Sequence, residues 1–302
     1  MKIMDVMHLE IEINEIYDDM WNNKTITVSL LRLDKIHPVI SGNKIFKLYY
    51  FLKKAISLNK KILTFGGAYS NHLAATAAAC KQLRLDCIGI VRGDKPAKLS
   101  HTLLFCLQQG MLLKFISRNE YTKMETNYLQ SHQKNVEEYI IIPEGGYSPE
   151  GVAGAAIISQ YLKDKNFTHV CCSVGTATTL AGLVSATDAN VEVIGFSALK
   201  NLTDFEKRMK FLLQAKTKNN YNLKSDYHFG GYAKRNDALI SFINTFYKKH
   251  LIPLDFVYTG KMMFGVNDLL QKNYFPSQSN IVCIHTGGLQ GNSSLPAGIL
   301  SF

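Results

Sequence analysis

One stretch, residues 62–79 (ILTFGGAYSNHLAATAAA), restricts the fold more than any other part of the chain. Its first four residues, 62–65, are apolar enough for a short buried strand, and the breaker pair Gly66-Gly67 ends it. A small-residue helix is predicted over 73–79, with Ser70 and Asn71 ahead of it as N-capping residues. The turn sets Ser70, Asn71, His72 and several backbone N–H groups at the carboxyl end of a strand. Open α/β sheets bind ligands there, and a helix N-terminus favours an anion. Taken alone, the same residues also describe an ordinary capped βα turn.

The alternation continues along the chain. Strands are predicted over 25–31, 86–91, 111–116, 139–142, 169–172, 191–196 and 281–284. Helices are predicted over 44–58, 101–109, within 123–134, and over 149–163, 205–214, 238–249 and about 261–270. Residues 216–222 read as an exposed polar loop, and 226–232 (DYHFGGY) as an aromatic cluster on a Gly-Gly turn. Strands separated by helix-length segments imply a parallel sheet with right-handed crossovers. At 302 residues the chain is expected to form two domains or one large α/β unit.

Two of the turns carry an unusual chemistry. The turn 41–43 delivers Lys44 onto the start of a helix, and Lys47 follows three residues later on the same face. Two cations at a helix N-terminus oppose the macrodipole, which costs stability unless something anionic compensates. The stretch 173–179 (SVGTATT) joins an apolar strand to a helix through glycine and hydroxyl residues, and its N–H groups would make a phosphate cradle. It lacks both GK[ST] and GxGxxG, which argues against ATP and dinucleotides. The turns 143–146 (PEGG) and 285–288 (HTGG) also lie at predicted strand ends.

Several function classes are excluded by composition. The net charge is +10, but the lysines fall in dispersed pairs without a basic stripe or aromatic platform, so no nucleic-acid partner is expected. A positive field would instead draw in a small anionic substrate. No stretch approaches 18 uncharged apolar residues and the first 15 residues do not read as a signal peptide, so no membrane partner and a cytoplasmic location are expected. The six cysteines form no CxxC pair and read as buried thiols. The nine histidines lack ligand spacing, so no metal is expected.

The motifs SGNK (41–44), GGAYSNH (66–72), PEGG, SVGTATT, YTGK (258–261) and HTGG occur in one order. Together they resemble the pyridoxal-phosphate enzymes comprising D-cysteine desulfhydrase and 1-aminocyclopropane-1-carboxylate (ACC) deaminase, over about residues 31–289. The resemblance implies the tryptophan-synthase-β-like fold, called fold type II: two α/β domains with open, mostly parallel sheets and the cofactor, pyridoxal 5'-phosphate, in the cleft between them. A small domain over 48–147 and a large one combining 1–47 with 148–302 are expected, in a homodimer.

It also implies roles. Lys44 would form the Schiff base with the cofactor aldehyde and shuttle the proton at the substrate Cα, and Lys47 would help neutralise the phosphate. Ser70 matches the family's nucleophile or auxiliary base, and Asn71 would bond the ring hydroxyl. Ser70, Asn71 and His72 would offer N–H groups to the substrate carboxylate. Gly175, Thr176, Ala177, Thr178 and Thr179 would hold the phosphate. Tyr258, as a catalytic residue, and Tyr232 would line the substrate side, while Thr259 or Thr286 would face the pyridine nitrogen. The chain departs from the family pattern at Phe46, where arginine is common, and at Leu33, where an acid is common.

By that pattern, deaminases carry glutamate at the position of Thr259 and an aliphatic residue at that of Thr286. A carboxylate keeps the ring protonated and strongly electron-withdrawing, whereas hydroxyls suffice for expelling a thiolate. The expected reaction is therefore β-elimination on a small amino acid, D-cysteine first. The alternatives are ACC deamination, dehydration or racemisation of small amino acids, and a non-catalytic small-anion binder.

Overall fold

The structure, a computed structural model, describes residues 5–18, 21, 25–131, 138–214 and 220–302. Its strands lie in two sheets. The larger has the order β1 (Ile13–Ile16), β2 (Thr27–Leu31), β10 (Asn280–Ile284), β7 (His169–Val174), β8 (Glu192–Ser197), β9 (Tyr221–Lys224). Only β1 runs antiparallel to its neighbour. The smaller sheet is parallel throughout, in the order β5 (Leu112–Ile116), β4 (Cys87–Arg92), β3 (Lys61–Gly66), β6 (Tyr139–Ile142). The strands predicted at 62–65 and 169–172 thus belong to different sheets.

The crossovers are helical: α1 (Asn43–Leu58), α2 (Asn71–Leu83), α3 (His101–Gln108), α4 (Arg118–Ser131), α5 (Pro149–Ala156), α6 (Thr178–Ala186), α7 (Phe205–Leu213), α8 (Asp237–His250) and α9 (Thr259–Gln271). Helix α1 buries Ile45, Phe46, Leu48, Phe51, Leu52 and Ala55. That spacing is the apolar stripe of an amphipathic helix. Its largest cluster of buried apolar residues also takes in α2 and α6, and fully buried aliphatic side chains of this size each contribute about 1.5–3 kcal/mol. Both departures from the family pattern are core positions: Leu33 and Phe46 are fully buried, and the Phe46 ring meets Tyr161 edge-on at 6.2 Å.

The structure departs from the sequence reading at four places. The helix predicted over 149–163 ends at Ala156 and tightens into a 3-10 turn over Ile157–Tyr161. Inside α5, Gly154 allows close approach to α1, since a Cβ there would lie 2.1 Å from the Phe46 carbonyl. The loop predicted over 216–222 contains the first residues of β9, which pairs with β8, while 216–219 lie outside the described residues. Strand β1 was not predicted; it is a four-residue edge strand with a half-buried pattern. The helix placed within 123–134 starts earlier, at Arg118, and 132–134 lie outside the described residues. All six cysteines are free and buried, and burial pushes the Cys106 and Cys172 thiols up to about 12. Among the described residues no helix is long and apolar enough to cross a membrane.

Candidate active site

The carboxyl ends of β10, β7 and β3 carry the turns that the sequence singles out. The first contact is between the turn before α1 and the turn after β10. Gly42 has φ +66°, and a Cβ on it would stand 1.8 Å from the Thr286 carbonyl oxygen. Its N–H donates to the Leu33 carbonyl at 2.8 Å, which draws the end of β2 into the same junction. Arg32 closes the junction from behind: its guanidinium grips both Asp34 oxygens (2.9 and 2.7 Å), and Asp34 Oδ1 lies 3.5 Å from His285 Nδ1. Gly42→Ala is therefore expected to cost about 3–5 kcal/mol, because both the left-handed backbone and the space exclude a methyl group. A denaturant titration showing a loss under 1 kcal/mol would contradict it.

This junction fixes both lysines. Lys44 Nζ points to the Thr286 carbonyl at 3.5 Å and lies 5.8 Å from the centroid of the Tyr258 ring. Burial lowers its pKa to about 8, against the opposing pull of Asp255. Lys47 is only 6% exposed, so a solvated lysine is not what this position holds. Its Nζ donates to the Gly145 carbonyl at 2.7 Å, and burial together with Lys44 lowers its pKa to about 7. Two desolvated amines at the start of one helix form a site short of negative charge.

The β3–α2 turn supplies the facing wall. Ser70 caps α2, its Oγ accepting from the Leu73 N–H at 3.2 Å. Asn71 Nδ2 reaches the Gly288 carbonyl at 3.4 Å, while its Oδ1 is buried with no hydrogen-bond partner. His72 is buried, and Thr64 fixes its tautomer. Thr64 Oγ1 donates to the Ile142 carbonyl (2.9 Å), so it accepts from His72 Nε2–H (2.9 Å). Nδ1 is then a bare acceptor without a partner. Burial, then Lys47 and Lys44, lower the imidazole pKa to about 3, so the ring is neutral.

The β7–α6 turn is held by three others. A Cβ on Gly145 would meet Thr176 Cγ2 at 2.7 Å, and one on Gly175 would meet the Tyr258 ring at 3.3 Å. Asn43 Nδ2 donates to Thr179 Oγ1 at 2.7 Å, and the Thr176 and Thr178 hydroxyls bond at 2.9 Å. Ala177 takes a left-handed conformation (φ 68°) at the N-cap of α6. Helices α2, α3, α5 and α8 are each capped by a Ser or Asn side chain, but α6 is not. Its first-turn N–H groups lack intrahelical acceptors and are open to a ligand.

The last component is the start of α9. Tyr258 and Tyr232 meet edge-on with centroids 6.1 Å apart, and burial holds the Tyr258 phenol well above its ordinary pKa. Lys261 is buried and ties down the loop before Tyr232, donating to the His228 and Gly231 carbonyls at 2.8 and 2.7 Å. Thr259 and Thr286 are both buried, but they differ in use. The Thr259 hydroxyl donates to Asp255 Oδ1 (2.7 Å) and accepts from the Asp255 N–H (2.9 Å). The Thr286 hydroxyl pairs with Ser173 Oγ at 3.1 Å, where β7 and β10 are neighbours. Sequence reasoning missed Asp255, Asn43 and Ser173. An aspartate four residues before a helix start is a signal that could have found the first.

Known proteins bear on this arrangement. A family described as pyridoxal-phosphate dependent enzyme matches residues 24–287. A Pyrococcus furiosus protein provisionally named 1-aminocyclopropane-1-carboxylate deaminase is 31% identical, with 87% of this chain and 85% of that protein covered. The D-cysteine desulfhydrase of Salmonella choleraesuis is 26% identical, over 85% and 86%. A crystal structure of an ACC deaminase homologue superposes with a TM-score of 0.75 at 26% identity, covering 96% of this chain and 92% of that one. The fold alone is shared with an O-acetylserine-dependent cystathionine β-synthase from Helicobacter pylori (TM-score 0.69, 14% identity, 98% of each chain). The chain belongs to the pyridoxal-phosphate-dependent enzymes, with the α/β fold of the tryptophan synthase β type and relatives of the ACC deaminase and D-cysteine desulfhydrase kind.

Proposed function

We propose that this enzyme carries out β-elimination on D-cysteine, giving pyruvate, ammonia and sulfide with uptake of one water. The observation behind the choice is the buried hydroxyl pair of Ser173 and Thr286. By the family pattern a pyridine nitrogen that meets hydroxyls stays largely unprotonated, which suffices for loss of a thiolate. The competing reading, opening of the ACC ring, draws on the higher identity of the Pyrococcus relative.

The cofactor fits the residues present. Orphaned Asn71 Oδ1 matches a ring hydroxyl donor, and the uncapped α6 turn matches a phosphate. In this reading Gly175, Thr176, Ala177, Thr178 and Thr179 hold the phosphate, with Lys47 as its counter-charge, and Lys44 holds the aldehyde carbon. Thr286, rather than Thr259, faces the ring nitrogen, because the Thr259 hydroxyl is committed to Asp255. When bound, pyridoxal phosphate supplies a carbonyl that joins an amine and a ring that accepts an electron pair.

The remaining steps fall to the chain itself. The N–H groups of Asn71 and His72, at the start of α2, orient the substrate carboxylate. Ser70 stands beside them as the auxiliary base. Lys44 Nζ, neutral in a substantial fraction at pH 8, takes the Cα proton. Tyr258, whose phenol stays protonated, serves as proton donor on the leaving-group side, with Tyr232 covering it. The division into domains 48–147 and 1–47 with 148–302 belongs to the same proposal, each contributing one wall.

An amino-acid panel assayed for α-keto acid and sulfide tests the substrate. Release of both from D-cysteine is expected, and turnover of ACC without sulfide from D-cysteine would overturn the choice. Lys47→Met is expected to weaken cofactor affinity about tenfold to a hundredfold, the loss of one charge-assisted phosphate contact worth 1.5–3 kcal/mol in general. A cofactor titration with unchanged affinity would remove Lys47 from the phosphate site.

A further inference from the structure

The reading above uses Asp255 only as the partner of the Thr259 hydroxyl, yet it is fully buried behind the site. Its carboxylate accepts four hydrogen bonds from three successive residues. Oδ2 accepts from the Val257 and Tyr258 N–H groups at 2.9 and 2.8 Å. Oδ1 accepts from the Thr259 N–H at 2.8 Å and the Thr259 hydroxyl at 2.7 Å. The Asp255 N–H donates back to Thr259 Oγ1 at 2.9 Å, and its carbonyl accepts from the Gly260 N–H at 2.8 Å. A buried carboxylate is tolerated where donors fill its lone pairs, and here the start of α9 supplies them all.

Capping explains only part of this arrangement. The residue at the N-cap of α9 is Tyr258, held at φ −125° and ψ −72°, and its ring lies along Gly175 with Lys44 Nζ 5.8 Å from the centroid. The carboxylate itself lies directly behind Gly288, where a Cβ would stand 3.5 Å from Asp255 Oδ1 and 3.2 Å from Asn71 Nδ2. One side chain therefore sets the backbone of Tyr258, consumes the Thr259 hydroxyl and lies one layer behind the lysine and Asn71.

We propose that Asp255 is a positioning residue, which holds the Tyr258 phenol beside Lys44 Nζ and keeps the Thr259 hydroxyl out of the cleft. The proposal rests on Lys44 as the cofactor lysine. The charged and titratable groups around Lys44 are Asp255, which acts on it, Lys47 and His72, whose pKa values it lowers, and Tyr258, whose ring centroid lies 5.8 Å from its Nζ. Of these, Asp255 pulls the lysine pKa up, against the burial that lowers it to about 8.

The test uses the full chain and two measurements. In the first, cofactor-stripped protein is labelled with pyridoxal 5'-phosphate and borohydride across pH, and the labelled lysine is mapped. Removing the carboxylate in Asp255→Asn leaves burial unopposed, so the midpoint of Lys44 labelling is expected to move down by about one pH unit. In the second, kcat and KM are measured on the fastest amino acid of the panel. Thr259→Val, which deletes only the hydroxyl bonds, is expected to lower kcat about tenfold with KM nearly unchanged, and Thr259→Ser to restore it. Wild-type kcat in Thr259→Val, or wild-type kcat and KM in a folded Asp255→Asn, would overturn the proposal. If Asp255→Asn does not fold, the valine and serine pair decides. Labelling of the unmodified chain on another lysine would instead overturn the assignment of Lys44.

Discussion

Replacing Lys44 by alanine is expected to abolish covalent retention of pyridoxal phosphate and to lower turnover by about a thousandfold or more, since in the proposed reading this lysine is both the attachment point and the base at Cα. The geometry separates it from its neighbour. Lys47, with a pKa of about 7, is the more readily deprotonated amine, and on basicity alone it would be the first to react. It is also the amine held to the Gly145 carbonyl at 2.7 Å, in a turn whose glycine packs against Thr176. A phosphate at the α6 turn would restore its charge and silence it as a nucleophile. Lys44 instead faces the aromatic side of the cleft, at the Thr286 carbonyl and the Tyr258 ring. The neutral amine is the nucleophile, so labelling of Lys44 should rise with pH through about 8, with borohydride reduction and peptide mapping as the readout. Lys44→Arg should be as inactive as the alanine variant, because an arginine keeps the charge and cannot give it up. A reduced label on Lys47, or a Lys44→Ala protein that still turns over, would remove Lys44 from its role.

The parts of this fold that could be read from sequence are those where one local signal suffices. Strand β3 ends at a glycine pair, and α2 starts at a serine cap, because each follows from the conformational limits of two or three adjacent residues. The awkward placement of Lys44 and Lys47 was legible for the same reason: a cation at a helix N-terminus is unfavourable wherever the helix sits. What stayed hidden depended on residues distant in sequence. Strand β9 (YNLK) alternates over only four residues, too few to stand out from a polar stretch, and its conformation comes from pairing with β8. The glycine at 154 in α5 answers to the backbone of Phe46, more than a hundred positions away. Asn43 reads as a turn residue until α6 brings Thr179 to its amide. Ser173 reads as the first residue of the 173–179 turn until β10 brings Thr286 beside it. Thr259 is the instructive case. The family resemblance left Thr259 and Thr286 both open as partners for the ring nitrogen, and only the folded chain shows the Thr259 hydroxyl bonded to a buried aspartate four residues upstream.

That commitment sharpens the expectation about substrate. Sulfide and pyruvate release from D-cysteine should exceed ACC ring opening by about a hundredfold or more, the size of effect that a change of hydrogen-bond partner at a reacting system commonly produces. The hydroxyls of Ser173 and Thr286 share one contact at 3.1 Å, so one of their two protons serves that contact and the other is left for a neighbouring acceptor. A pyridine nitrogen that accepts from a neutral hydroxyl gains little protonation, and the ring withdraws less than one paired with a carboxylate. Loss of a thiolate needs only that weaker withdrawal, whereas breaking a cyclopropane bond needs more. Thr286→Leu with Thr259→Glu should therefore shift the ratio toward ring opening. The structure attaches a cost to the second change. Glutamate at 259 deletes the hydroxyl that bonds Asp255 and sets a second carboxylate beside a fully buried one, so Thr259→Glu alone should lower the denaturation midpoint. Rates should accordingly be compared per bound cofactor, after folding has been checked for each variant. If the unmodified enzyme opens ACC as fast as it releases sulfide from D-cysteine, the hydroxyl pair does not set the reaction and the reading of Thr286 as the ring partner fails.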